Sequence, residues 1–172
     1  AASKGGGSNE PTGILSTAGI GSVVGGTNGL APTWAHIVEL ETDVSVANAD
    51  IGTLGYLTNN KVRGKLKTTS KVSGQNGFVW ESGNAPLNGY ATAITNGVPS
   101  NLDKGTSTGV CSAIIFGNWA DLIMGMWGGL DLLVDPYTGG TSGTVRVIAH
   151  QDVDVAVRHA ESFSAMLDAL TA

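Results

Sequence analysis

Apolar and polar positions alternate most strictly in the last third of the chain. From Leu122 to Asp135 the even positions read Leu, Met, Met, Gly, Leu, Leu, Val, while Asp131 and Asp135 stand on odd positions. From Val145 to Val157 the odd positions read Val, Val, Ala, Gln, Val, Val, Val, and the even ones include Arg146, His150, Asp152 and Asp154. A period of two predicts two half-buried β-strands. The break from Pro136 to Gly143 predicts a loop between them. The two runs, Leu122–Asp135 and Thr144–Arg158, are therefore expected to pair antiparallel, with Val145, Val147, Val153, Val155 and Val157 facing an apolar layer. At about 3.3 Å per residue the second run would span roughly 45 Å, far longer than a common strand. A compact enzyme core rarely needs such a strand, whereas an elongated shell-forming subunit does.

Elsewhere the period changes to that of helices. Trp34, Ile37, Leu40, Val44 and Ala47 recur every three or four residues behind Pro32-Thr33, a suitable first turn and cap, so a helix is expected from Thr33 to Ala47. A strand over Thr53–Leu57 and a second helix capped at Thr58 or Asn59 and running to about Lys67 should follow. Its Lys61, Arg63, Lys65 and Lys67 read as a solvated face. Residues 71–101 are turns around two short strands, Phe78–Trp80 and Tyr90–Thr95, and Val110–Phe116 reads as a buried strand. Residues 1–30 read as loop with one or two short strands.

Composition narrows the class. Glycine supplies 26 of 172 residues, about twice the usual share of ~7%. Charged residues are only 13%, against about 25% in an ordinary globular chain. A surface so poorly charged suits contact with other protein. The formal net charge of −5 argues against sequence-independent phosphate binding, which needs a basic stripe. Cys111 is the sole cysteine, so neither an intrachain disulfide nor a thiolate zinc cluster is available. The longest apolar run, Leu122 to Leu130, is far short of the ~20 residues that cross a bilayer as a helix. No apolar signal core opens the chain, and no initiating Met does either, so a soluble fragment of a longer protein is expected.

Candidate chemistry is sparse. Gly105-Thr106-Ser107-Thr108-Gly109 fits G-x-S-x-G, with Asp121 or Asp135 and His150 or His159 following in hydrolase order. That chemistry needs a strained strand-to-helix elbow, yet a loop precedes this motif and an apolar strand follows it, so a plain turn is the expectation. His150, Asp152 and Asp154 share one strand face, as three metal ligands could. The simpler reading is a polar outer face whose aspartates are neutralised by Arg146 and Arg158. Glycine clusters lack the Gly-Lys-Ser/Thr ending of a phosphate loop; Gly64-Lys65 is followed by Leu66. Glu39 and Asp43 share a helix face as ordinary exposed acids, and Cys111 reads as a small core residue. No catalytic, cofactor or metal residue is assigned.

Several blocks in order carry a family likeness. They are Glu10-Pro11-Thr12-Gly13-Ile14-Leu15, Gly55 to Asn60, Phe116-Gly117-Asn118-Trp119, Met126 to Tyr137, Val145-Arg146-Val147, and Asp154 to Phe163. The series resembles the C-terminal half of tailed-bacteriophage major capsid proteins of the Hong Kong 97 type, with Phe116 to Tyr137 the most specific block. The residues that carry the likeness are Pro11, Gly13, Gly117, Trp119, Trp127, Asp135, Pro136, Tyr137 and Phe163.

The resemblance implies an α+β fold. Residues 1–121 would form an axial-domain-like region, 122–159 the long β-hairpin of a peripheral domain, and 160–172 a return to the axial domain. It implies a non-enzymatic (pro)phage capsid subunit that assembles with copies of itself into an icosahedral head enclosing DNA, built in the bacterial cytoplasm and resident in the virion. Scaffolding, portal or protease partners belong to the same picture; sequence-specific nucleic-acid binding, a membrane and a cofactor do not. The family's N-terminal arm, extended loop and spine helix have no counterpart in this sequence, so the chain alone is expected to be a monomer or small oligomer. Some relatives cross-link through an asparagine in the hairpin loop; residues 136–143 contain none. An encapsulin-like nanocompartment shell protein is the alternative of the same fold, and a serine hydrolase using Ser107 the alternative of a different class.

Overall fold

The computed structural model describes residues 2–74, 76–81 and 86–171. Along the chain, Ile14–Ser16 makes a single 3-10 turn, and Gly21–Val23 forms a short strand, β1. Helix α1, Trp34–Val46, starts behind Thr33, whose amide donates to His36 Nδ1 at 3.3 Å. It buries Ile37, Leu40 and Val44, three of the five positions in the apolar stripe. It stops at Ala47, and Asn48 follows in the left-handed region at φ 55°. Strand β2, Leu54–Thr58, leads into helix α2, Asn60–Thr68. Asn59 caps α2, its side-chain oxygen accepting from the Val62 amide at 3.0 Å.

Then come β3, Ala91–Ile94; β4, Leu102–Lys104; and β5, Ser107–Asn118. A 3-10 turn, Trp119–Asp121, leads to β6, Leu122–Asp135, then β7, Arg146–Val157, and finally β8, Phe163–Leu170. The strand expected at Phe78–Trp80 is not formed. Phe78 makes one isolated bridge to Ser70, while Val79 and Trp80 are buried beside α2, the Trp80 amide donating to the Leu66 carbonyl at 3.2 Å. Packing on the helix end, rather than a ladder, satisfies this segment.

One sheet runs in the order β1-β8-β5-β2-β3, with β4 added on β5. β5 lies antiparallel between β8 and β2, with Gly117 opposite Phe163 on one side and Gly55 on the other. β2 and β3 are parallel, so α2 lies in their crossover connection. Successive side chains of β5 point to opposite faces. Ile114 and Phe116 join Ile37, Leu40, Val44, Val62, Leu66 and Tyr56 beneath both helices. Ile115 joins Ile14, Phe163 and Ala165 on the other face, with Leu57 and Trp119 packed alongside. This two-faced burial explains why Cys111 to Asn118 is buried without interruption.

The second sheet is the long hairpin β6-β7. The two strands pair antiparallel, as the alternation predicts, in a register that runs from Leu122 opposite Val157 to Asp135 opposite Arg146. A bulge at residues 128–130 of β6 faces Gln151 alone, with Gly128 at φ +68°. Its two extra residues preserve parity. Met124, Met126, Leu132 and Val134 therefore stay opposite Val155, Val153, Ala149 and Val147 throughout. The expected half-burial is corrected, however. Val145, Val147 and Val153 are exposed; Val155 is buried, at 7% exposure, and Val157 is partly buried against the cluster of Ile14 and Phe163. A two-stranded ribbon has no second layer of its own, and the described residues supply one only near its base.

Candidate assembly surfaces

The hairpin presents apolar side chains on both faces. Met124, Met126, Leu132, Val134, Val147 and Val153 are exposed on one, and Ile123, Trp127 and Leu133 on the other. Patches of this kind mark interaction sites on folded proteins. The tip is ordered by Asp135, whose carboxylate accepts from the Tyr137 amide at 2.9 Å, the Thr138 amide at 3.2 Å and the Thr138 hydroxyl. These bonds, led by the Thr138 hydroxyl, hold the Asp135 carboxyl below its ordinary value. Tyr137, 88% exposed, stands beside Pro136 in this turn.

The hairpin's base is tied to the main sheet. Asp121 accepts from Ser162 Oγ at 2.7 Å and from Asn118 Nδ2 at 3.1 Å, and its carbonyl accepts from the Arg158 amide at 2.8 Å. Trp119 Nε1 donates to the Gly55 carbonyl at 3.0 Å, and its ring meets Phe163 edge-on with centroids 5.5 Å apart. The structure thus gathers Gly117, Trp119 and Phe163 into one cluster where β5 leaves the sheet. Pro11 and Gly13 lie on the loop leading to Ile14, which packs in the same apolar cluster as Phe163. Trp127 lies halfway out on the hairpin, and Asp135, Pro136 and Tyr137 are at its tip, remote in sequence from that cluster.

The hydrolase constellation does not assemble. Ser107 is the first residue of β5, in a turn that returns from β4, with strand on both sides. Asp121 and His159 line one cavity with Asn118, at the far end of that twelve-residue strand. At ~3.3 Å per residue the separation from Ser107 is about 36 Å. Asp135 is at the hairpin tip, and His150 stands opposite Asp131 on the ribbon. Among the described residues no group of three or more His, Cys, Asp or Glu side chains could hold a metal, and the face bearing His150, Asp152 and Asp154 is an outer one. Cys111 is buried, which raises its thiol pKa.

Three polar features escaped the sequence reading. Tyr56 is buried under α1 and donates to the Ile37 carbonyl at 2.9 Å, and Asn88 Nδ2 donates to the Tyr56 hydroxyl at 3.2 Å. Burial, the largest cause, pushes the Tyr56 phenol well above its usual range. Glu41 accepts from Asn88 and, at 2.8 Å, from Tyr90, which raises the Tyr90 phenol. Asp168 is buried and accepts from the Gly25 amide at 3.0 and 3.1 Å and from the Gly26 amide at 3.3 Å. Its signal in the sequence is one acid inside the run Phe163 to Leu170, otherwise without charge.

A mixed sheet with two helices on one face, continued by a long exposed hairpin, is the Hong Kong 97-like capsid fold, a class of shell-forming subunits. The model of the phage capsid family matches residues 1–167, and the chain belongs to that family. It is 34% identical over 156 residues to the major capsid protein of Halomonas phage phiHAP-1, covering 91% of this chain and 23% of that protein. Among solved structures it resembles the capsid of an empty GTA particle, with TM-score 0.70, 20% identity, and 98% of this chain and 60% of that one covered. It also resembles the SrpI encapsulin of Synechococcus elongatus PCC 7942, with TM-score 0.56, 14% identity, and 93% and 57% covered. The chain thus spans less than a quarter of the curated relative's length and about three-fifths of these shell subunits.

Proposed function

We propose that this chain is part of a (pro)phage major capsid subunit, which assembles with copies of itself into the icosahedral head that encloses DNA. The carrying observation is the pairing of a family match across almost the whole chain with an exposed, apolar, precisely registered hairpin. Such a ribbon is costly to leave in water and suits contact with other protein. The division into an axial-type region over 1–121, a peripheral hairpin over 122–159 and a return over 160–172 is part of this proposal. Support comes from β8, which re-enters the first sheet between β1 and β5. Pro11, Gly13, Gly117, Trp119 and Phe163 would act as structural residues at the hairpin's root, and Trp127, Asp135, Pro136 and Tyr137 as contact or tip residues. Scaffolding, portal or protease partners would act on the shell, and the subunit would reside in the virion after assembly in the bacterial cytoplasm.

The phage reading is preferred over an encapsulin-like one because the 34% identical relative is a phage major capsid protein, whereas the encapsulin likeness rests on fold at 14% identity. A structural rather than enzymatic role fits the family and the separation of Ser107 from Asp121 and His159. Expression of the reading frame that carries this chain, followed by negative-stain microscopy, tests the proposal. Uniform closed particles are expected; a dispersed product under all assembly conditions overturns it. A fluorophosphonate probe should leave Ser107 unlabelled, and specific labelling there would revive the hydrolase reading.

A further inference from the structure

The two helices of this chain carry opposite charge. α2 holds Lys61, Arg63, Lys65 and Lys67 within nine residues and no acid, in a chain of formal net charge −5. α1 holds Glu39, Glu41 and Asp43 and neither lysine nor arginine. α1 packs against β1, β8 and β5, while α2, in the crossover between β2 and β3, packs against β5 on the side of α1 away from β1.

On α1 the acids divide by flank. Glu41 turns toward Tyr90 and Asn88, whereas Asp43 faces the β1 edge and accepts from Ser164 Oγ at 2.9 Å. Glu39, one turn earlier, shares the Asp43 flank. Between that flank and β1 runs a groove of about 480 Å³, lined by Gly21, Ser22, Asp43, Val46, Ala47 and Glu161 among others. Ala47 and Glu161 also line a neighbouring cavity of about 300 Å³ that reaches Asp121. Neither lining contains a lysine or arginine.

We propose that this groove at the β1 edge receives helix α2 of a second copy, with Lys61 and Lys65 of the incoming helix set against Glu39, Asp43 and Glu161. The proposal rests on the capsid-subunit reading and names the surface that reading leaves open. Lys61 and Lys65 are the relevant cations because Arg63 and Lys71 already lie over rings of their own chain, at 6.0 Å from Trp80 and 3.7 Å from Trp34. Lysine stems can cover Val46 in the groove and Ile51 in the neighbouring cavity, 77% and 75% exposed, while the ammonium groups reach the carboxylates. The carbonyl end of α1 adds negative potential at the same place. The acidic groove lies on the β1 side of α1, no residue of α2 lines it, and the two surfaces therefore do not pair within one copy. They pair head to tail between copies, a heterologous contact that closes into a ring when the rotation permits.

A charge-swap cycle tests this. One variant of the reading frame carries Lys61→Glu with Lys65→Glu, the other Glu39→Lys with Glu161→Lys, all surface positions whose replacement opens no cavity. Circular dichroism checks that each folds, and Lys61→Gln with Lys65→Gln replaces the first pair if it does not. By sedimentation velocity each variant alone should associate at least about tenfold more weakly than the parent, because like charges then meet. The equimolar mixture should regain association, since acidic α2 then meets a basic groove, and high salt should weaken that association as the Debye length falls to about 3 Å at 1 M. A mixture that associates no better than its components, or variants that associate like the parent, overturns the inference. So does a lysine reversal that spares association but strips co-purified nucleic acid, which would assign α2 to the packaged genome. Microscopy of the same samples separates the two readings. Closed parent particles with unaffected variants sink only this inference, whereas a parent without particles sinks the capsid reading.

Discussion

Replacing Gly117 with alanine adds one methyl group at the most crowded point of the sheet. Gly117 sits on β5 between Gly55 and Phe163, and its backbone is not in the left-handed region, so no conformational strain arises. The new Cβ would lie 2.4 Å from Phe163 Cδ1, 2.9 Å from Phe163 Cγ and 2.5 Å from the Ser162 carbonyl oxygen. Real Cβ atoms essentially never approach within 3.0 Å, so both neighbours must move. Phe163 is fully buried against Trp119, and the Ser162 carbonyl belongs to the turn that sets the hairpin's root. Overpacking costs about 1–3 kcal/mol, and these rigid neighbours place Gly117→Ala at the upper end. Restricting the unfolded chain returns about 0.4–1 kcal/mol. The net loss of ~2 kcal/mol corresponds to a melting point lower by roughly 4–8 °C for a chain of this size. Thermal unfolding followed by circular dichroism measures it. Gly64→Ala on α2, where an added Cβ meets nothing within 4 Å, is the control and should raise stability by about 0.5–1 kcal/mol. Adding Phe163→Leu to Gly117→Ala should show a coupling of about 1 kcal/mol, because the shorter side chain relieves part of the clash. A Gly117→Ala protein that melts at or above the parent would refute the steric argument.

Val155→Asp should destabilise by roughly 3 kcal/mol or more, since it buries an unpaired carboxylate, whereas Val147→Asp, at a position 62% exposed, should leave the melt nearly unchanged. Equal effects at the two sites would contradict the burial seen along β7. Asp168→Asn keeps one acceptor but turns an amide NH2 toward the Gly25 and Gly26 amides, and should cost about 1–3 kcal/mol in denaturant unfolding. Tyr56 has a folded pKa above its unfolded value of about 10, so its contribution is fully present below pH ~10 and is lost as pH rises beyond it. Urea titrations at pH 9 and pH 11 should therefore show a steeper alkaline loss for the parent than for Tyr56→Phe, which should itself lose about 1 kcal/mol at neutral pH.

Much of this architecture was legible because local patterning and tertiary burial agree. The stripe Ile37, Leu40, Val44 is a helix face whichever sheet it meets, and Asn59 caps α2 through an amide three residues away. The antiparallel pairing of the hairpin was legible because two alternating runs flank one turn, whereas its register and the bulge at 128–130 came only from the structure. Phe78–Trp80 misled because apolar β-formers there serve packing on α2 rather than a ladder. The signature residues were read as a set, yet the structure separates them: Gly117, Trp119 and Phe163 at the hairpin's root, Pro11 and Gly13 on the opening loop beside it, Trp127 halfway out, and Asp135, Pro136 and Tyr137 at the tip.

The sequence by itself determined the period of each element, the poverty of charge and the succession of blocks that marks the capsid family. These are properties of neighbours along the chain, where spacing alone sets which side chains share a face. Tertiary structure decided what each face meets. It made Cys111 to Asn118 buried on both sides by laying β5 between β8 and β2, and left the equally apolar β6 and β7 in solvent because no described layer covers them. It joined Tyr56, Asn88, Glu41 and Tyr90 across loops, and turned the acidic flank of α1 toward β1, away from basic α2. Hydrophobicity is a property of a residue, but burial is a property of its partners, and for this chain those partners lie far away in sequence or in another copy.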